Sequence, residues 1–126
     1  MPARILLVED SPTILNLLGM VLRQYGYQVH TAGDGVEALS KLSQMEVDLI
    51  ITDVNMPRMD GFTLIGRVRV QQGQRDVPII VLSTEREEHD RQRGAAAGAD
   101  LYLTKPVKPQ ELVDHVRRLL GEHGIS

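Results

Sequence analysis

The chain has 126 residues, no cysteine, 42% hydrophobic and 25% charged residues and a formal net charge of −3. That is the size and make-up of one globular domain able to bury its own core, and it excludes disulfides, a thiolate nucleophile and cysteine-ligated zinc. The mild acidity and the scattering of Tyr25, Tyr27, Phe62 and Tyr102 give no basic or stacking surface for nucleic acid, and no apolar run approaches a membrane span.

Strand-like and helix-like segments alternate five times along the chain. Residues 4–9 form an apolar strand built on Ile5-Leu6-Leu7-Val8 and closed by Glu9 and Asp10. Arg4 leads directly into it, without a basic region, apolar segment and cleavage site, so a cytoplasmic location is expected. Residues 12–25 carry Ile14, Leu15, Leu17, Leu18, Val21, Leu22 and Tyr25 at helical spacing, with Ser11 to cap the helix, Pro12 in its first turn and Gly26 to end it. Tyr27, Val29 and Thr31 alternate with Gln28 and His30, the pattern of a half-exposed second strand. Asp34 followed by Glu37 reads as a capping-box analogue opening a helix from Gly35 to about Gln44.

The third strand, residues 48–52, ends at Asp53. Met56 to Gly61 is a turn-rich loop, and the helix after it turns Phe62, Ile65 and Val68 inward to about Gln71. Ile79-Ile80-Val81-Leu82 is the fourth strand and Ser83 closes it. Residues 86–98 read as a helix whose first half is almost wholly charged, and so as an element held by few buried contacts. The fifth strand is Leu101 to Thr104, followed by Lys105 and Pro106; Pro109 opens a C-terminal helix that buries Leu112, Val113, Val116, Leu119 and Leu120. Residues 1–121 thus read as one domain and 122–126 as a short polar tail that looks like a natural end.

The first, third and fourth strands are nearly continuous apolar runs, as strands covered on both faces are, whereas the second and fifth resemble edges. This ranks the strands 2-1-3-4-5 in an α/β, doubly wound, five-stranded parallel sheet. The switch point of that order lies between the first and third strands, at the carboxyl edge where ligands bind. Glu9, Asp10 and Asp53 meet at this crevice, with Ser83 and Lys105 beside it. Three carboxylates that close repel unless a cation joins them, and oxygen-only ligands select a hard divalent ion, Mg2+ by cellular default. Asp10 and Asp53 are the expected direct ligands, Asn55 a source of a backbone carbonyl, and Glu9 a ligand acting through water. Asp53 lies between the metal ligands and the groups of the last two strands, so it is the candidate nucleophile toward phosphorus. The metal, Lys105 and the Ser83 hydroxyl would each take one phosphoryl oxygen.

As a set, the segments ILLVEDSPT, LIITDVNMPRMDG, VPIIVLS and GADLYLTKP resemble the receiver domain of two-component response regulators, in particular the single-domain CheY type, over essentially the whole chain. The resemblance implies a flavodoxin-like (βα)5 fold, CheY-like in detail, with Mg2+ as cofactor. It implies Asp53 as the phosphorylated residue, Glu9 and Asp10 as the acidic pair that holds the metal, Ser83 as the switch hydroxyl and Lys105 as the phosphoryl-binding lysine, with a cis Lys105–Pro106 peptide. A sensor histidine kinase would donate the phosphoryl group. Ser83 would then move toward it and Tyr102 would turn inward. The face made by the 86–98 helix, the fifth strand and the C-terminal helix would change, and with it the binding of an unidentified downstream protein. Asn55 and Glu85 flank the path of attacking water in such proteins and would tune a lifetime of seconds to minutes. Thr84, where alanine is frequent, would narrow access to the site.

Beyond its own phosphorylation and dephosphorylation, no enzymatic turnover is expected. The chain is expected to be a monomer that dimerises, if at all, on phosphorylation, with no nucleic-acid partner and no membrane insertion. Alternatives are a receiver cut from a longer regulator, a phosphate sink or a phosphorelay intermediate. An aspartyl-nucleophile phosphatase would need its nucleophile on the first strand, where only Glu9-Asp10 stands, and an FMN carrier a better phosphate loop than Ser11-Pro12-Thr13. His30, His89, His115 and His123 share no metal-ligand spacing.

Overall fold

The computed structural model describes residues 2–54, 56, 58–71, 76–83, 92, 95 and 97–121. Within them run β1 (Arg4–Val8), α1 (Pro12–Gln24), β2 (Gln28–Ala32), α2 (Gly35–Leu42), β3 (Leu49–Asp53), α3 (Gly61–Val70), β4 (Ile79–Ser83), β5 (Leu101–Thr104) and a C-terminal helix, α4 (Pro109–Leu119). Most of the charged segment between β4 and β5 lies outside the described residues; Gln92, Ala95 and Ala97 in it are helical.

The five strands pair in parallel in the order β2-β1-β3-β4-β5, the order expected from their hydrophobic patterns. β3 and β4 are buried at every position and β1 at all but Arg4, which fits strands packed on both faces. At the edges β2 is only partly buried, and β5 is partly buried at all four positions rather than alternating.

The period-two alternation of the strands divides the core into two layers. Leu6, Val8, Ile50, Ile79 and Val81 point to one face, where Ala38 and Leu42 of α2 and Phe62, Leu64, Ile65 and Val68 of α3 cover them. Ile5, Leu7, Leu49, Ile51, Ile80 and Leu82 point to the other, against Leu18 and Leu22 of α1 and Leu112, Val113 and Val116 of α4. Each fully buried Leu or Ile of this kind contributes about 1.5–3 kcal/mol. Leu119 and Leu120, expected in the buried face of α4, are only partly buried, and Leu17 and Tyr25 of the α1 stripe are exposed.

Helix ends follow the local chemistry. The Ser11 hydroxyl accepts from Ile14 N at 3.4 Å, and Pro12 opens α1, which gives way to Gly26 at φ 94°. The Asp34 carboxylate accepts from Glu37 N at 2.8 Å, while Glu37 Oε1 reaches back to Gly33 N, also at 2.8 Å, so the box closes one residue earlier than its usual form. Ser43 ends α2 sooner than the sequence pattern suggested. At the amino edge of the sheet Arg69 of α3 donates to the carbonyls of Gly98 and Val77 and to Asp100 Oδ2, which also accepts from Ile79 N at 2.8 Å. That cluster ties α3 to the starts of β4 and β5, at the end of the sheet away from the acidic crevice.

Candidate phosphoryl and cation site

The parallel ladder continues past the strand ends. Glu9 N donates to Ala32 O at 3.0 Å, and Lys105 N donates to Ser83 O at 2.7 Å. These bonds hold both residues in strand-like alternation, so Glu9, Asp53 and Lys105 follow the residues that face α1 and α4. The Lys105 ammonium lies 3.0 Å from Glu9 Oε2 and 3.2 Å from Asp53 Oδ2. Asp10 is exposed beside them. Carboxylate oxygens of Glu9, Asp10 and Asp53 lie within 4.8 Å of one another, the one such cluster of metal-ligating residues among the described residues.

The three acids differ in environment. Glu9 is 2% exposed and Asp53 5% exposed. Both oxygens of Glu9 have partners: Lys105 at Oε2, and Ser11 N at 3.2 Å from Oε1. Asp53 Oδ1 accepts from Val54 N at 2.7 Å, which leaves Oδ2 facing Lys105. Burial pushes the Glu9 carboxyl above its ordinary range; the hydrogen bond from Lys105 pulls it back and the negative charge of Asp53 raises it again. Burial by itself would lower the pKa of Lys105, but the hydrogen bond to Glu9 and the charges of Asp53 and Glu9 outweigh it, so the ammonium is held more firmly than in water.

Ser83 is fully buried and pairs in register with Thr104, while Val81 pairs with Tyr102. By alternation Ser83 and Tyr102 therefore share the face that carries Val81 and the α2–α3 layer, and Tyr102 packs against that layer. The site thus has two sides, with acids and ammonium on one face and hydroxyl and ring on the other. Asn55 and Glu85 lie outside the described residues, as does Thr84. The Lys105–Pro106 peptide is cis, as the resemblance implied. Beside Lys105 opens an apolar cavity of about 410 Å³, lined by Ile14, Leu17, Leu18, Leu82, Pro106 and Val107.

Two contributors escaped sequence reading. Gly61, read only as part of a turn, donates its N–H to Val54 O at 2.9 Å, and a Cβ on it would stand 2.4 Å from Asp53 O. Its signal was a glycine directly after Asp60, which caps α3 by accepting from Thr63 N at 2.8 Å, a place where a helix gains nothing from glycine unless backbone must come close. Asp34, read as a cap, also binds Arg58 of the β3–α3 loop; no local pattern announces that pairing.

An oxygen-only donor set at this spacing suits a small hard cation, and the partly buried ammonium next to it suits a phosphoryl oxygen. The family model described as response regulator receiver domain matches residues 5–117. The alkaline phosphatase synthesis transcriptional regulatory protein PhoP of Bacillus subtilis is 40% identical over 126 residues, all of this chain and 52% of that protein. The chain spans about half the length of the curated relatives it matches. Among solved structures, the chemotaxis response regulator CheY4 of Vibrio cholerae has a TM-score of 0.90 at 40% identity, covering 94% of this chain and 99% of that one. The receiver domain of a sensor histidine kinase from Pseudomonas aeruginosa, with a magnesium ion coordinated in its active-site cleft, has a TM-score of 0.88 at 35% identity over 96% and 99% of the two chains. Receiver domains bind Mg2+ in an active-site acidic cluster, and this chain has an acidic cluster in Glu9, Asp10 and Asp53. No helix among the described residues is long and apolar enough to cross a membrane.

Proposed function

Because the chain belongs to the response regulator receiver domain family, we propose that it is a phosphorylation switch in which Asp53 accepts a phosphoryl group from a histidine kinase. The observation that carries this reading is the Lys105 ammonium 3.2 Å from Asp53 Oδ2, next to carboxylates of Glu9 and Asp10. Asp53 is a nucleophile with one oxygen fixed by Val54 N and the other beside a cationic phosphate ligand. Its carboxylate oxygen forms the new P–O bond as the P–N bond of the donor phosphohistidine breaks, and the electron pair leaves with the imidazole. No general base is needed.

Asp10 and Asp53 would hold Mg2+ directly in this reading, with the Asn55 carbonyl. Glu9 would contribute through water, which suits a carboxylate whose two oxygens are already taken by Lys105 and Ser11 N. Bound there, Mg2+ supplies charge neutralisation for the phosphoryl oxygens and for the crowded acids. Lys105 exchanges part of its contact with Glu9 and Asp53 for a phosphoryl oxygen. Ser83 donates to another, and Tyr102, on the same face two register positions back, fills the space that Ser83 leaves. That movement alters the face around β5 and α4 and so the affinity for a downstream protein. Asn55 and Glu85 set the rate of hydrolysis. The apolar cavity lined by Ile14, Leu17 and Val107 offers contact area for a donor protein beside the acceptor.

The test is incubation with acetyl phosphate and Mg2+, followed by intact mass and peptide mapping. One added phosphoryl group on Asp53, absent without Mg2+ and absent in Asp53→Asn, is the expected result. Labelling that persists in Asp53→Asn sinks the assignment. Sustained turnover of organic phosphates would instead make the chain a phosphatase.

A further inference from the structure

Among the described residues, Arg58 alone combines a side chain larger than glycine's with a left-handed backbone, at φ 70°. Its Nε lies 2.9 Å from Asp34 Oδ2, and its Nη2 contacts the same oxygen. The Asp34 side chain is 11% exposed and that of Arg58 62% exposed. The other Asp34 oxygen, Oδ1, caps α2 through Glu37 N. One residue on, Met59 lies flat against Gly35, where a Cβ would stand 2.9 Å from Met59 Cβ, Cγ and Sδ. The outer limb of the β3–α3 loop is therefore fastened to the first turn of α2 by an ion pair and by a packing contact.

The inner limb runs to the acceptor. Gly61 N donates to Val54 O at 2.9 Å, a Cβ on Gly61 would stand 2.4 Å from Asp53 O, and Val54 N donates to Asp53 Oδ1 at 2.7 Å. A short path of backbone and hydrogen bonds connects Arg58 with the Asp53 carboxylate. An ion pair exposed on one side contributes little net stability, and a left-handed backbone opposes part of that gain. Stability alone gives little reason for this arrangement, whereas a fixed loop geometry does.

We propose that Arg58 and Asp34 are positioning residues for the cation pocket. Their ion pair holds the β3–α3 loop so that Asp53 is set in advance to share Mg2+ with Asp10. Neither residue touches the cation. The proposal rests on the reading of the pocket as a Mg2+-dependent phosphoacceptor site. Partners outside the metal shell act by fixing the ligands, and their loss weakens metal binding without removing a donor atom.

The experiment is Mg2+ titration calorimetry on the unphosphorylated full chain, as wild type and as Arg58→Ala, Arg58→Gly, Arg58→Lys and Asp34→Asn. It is paired with thermal unfolding in the absence of Mg2+ and with acetyl phosphate labelling across Mg2+ concentrations. Arg58→Ala and Arg58→Gly should raise the Mg2+ Kd about tenfold, Arg58→Lys should recover much of the loss, and slowed labelling should recover as Mg2+ is raised. Arg58→Gly is the decisive variant, because it relieves the backbone and keeps the thermal midpoint while breaking the ion pair. Wild-type Mg2+ affinity in Arg58→Gly overturns the proposal, as does a loss of affinity that merely follows loss of thermal stability across the set. A wild-type chain that neither binds Mg2+ nor takes the label overturns the phosphoacceptor reading itself, and this one with it.

Discussion

Lys105 Nζ lies 3.0 Å from Glu9 Oε2, an ion pair between residues 96 positions apart in the sequence. The same ammonium touches Asp53 at 3.2 Å, so it supplies counter-charge for two of the three clustered acids. A divalent cation in this cluster would draw on carboxylates that the lysine already pairs with. In the proposed reading the lysine is both a future phosphate ligand and a present competitor of the metal.

That competition can be measured. Lys105→Met should tighten Mg2+ binding by about tenfold, the equivalent of about 1.4 kcal/mol, while slowing phosphorylation from acetyl phosphate. Calorimetry reads the first effect and mass spectrometry the second. A variant that binds Mg2+ more weakly than wild type would show that the ammonium organises the acids instead of competing for them.

Cation binding should also be visible in folding. Carboxylates of Glu9, Asp10 and Asp53 within 4.8 Å of one another are brought together only in the folded chain. Mg2+ at a hundred times its Kd should raise unfolding free energy by about 2.7 kcal/mol. Urea titration with Mg2+ and with EDTA gives the difference, and Asp10→Asn should remove most of it.

Asp34 predicts an acid limb to stability. The hydrogen bond from Glu37 N, followed by the Arg58 guanidinium, holds its carboxyl below the ordinary value of 3.8. A depressed pKa stabilises the fold above the unfolded value, and that contribution disappears as pH falls through the lower folded one. Urea unfolding from pH 6 down to about pH 2 should therefore fall more steeply for wild type than for Asp34→Asn. The two curves should run parallel above about pH 5, where the carboxylate is ionised in both states. Equal acid slopes would mean that Asp34 titrates normally.

Gly61→Ala should damage stability and site together. The added methyl would stand 2.4 Å from Asp53 O and 3.0 Å from Val54 Cα, both backbone atoms with little room to yield. Overpacking of this kind costs about 1–3 kcal/mol, read from chemical denaturation. Because the nearest of these atoms belongs to Asp53, the proposed acceptor, phosphorylation should slow more than at a nearby control such as Gly66→Ala, where a Cβ meets nothing within 4 Å.

The sequence by itself determined the order of the elements, the ranking of central and edge strands and the gathering of Glu9, Asp10, Asp53 and Lys105 at one edge of the sheet. Apolar runs such as Ile79-Ile80-Val81-Leu82 could be satisfied only between two helical layers, and a parallel sheet brings its strand ends to one edge, so Glu9, Asp10, Asp53, Ser83 and Lys105 had to gather there. Only the tertiary structure decided how they divide. Glu9 is buried and paired while its neighbour Asp10 is exposed, because alternation turns adjacent residues to opposite environments once the strand end is fixed. The Arg58–Asp34 pair, the Arg69 cluster and the close approach of Gly61 to Asp53 were likewise illegible in the sequence. Each depends on loops and helix ends from different parts of the chain, and no local periodicity encodes where such groups meet.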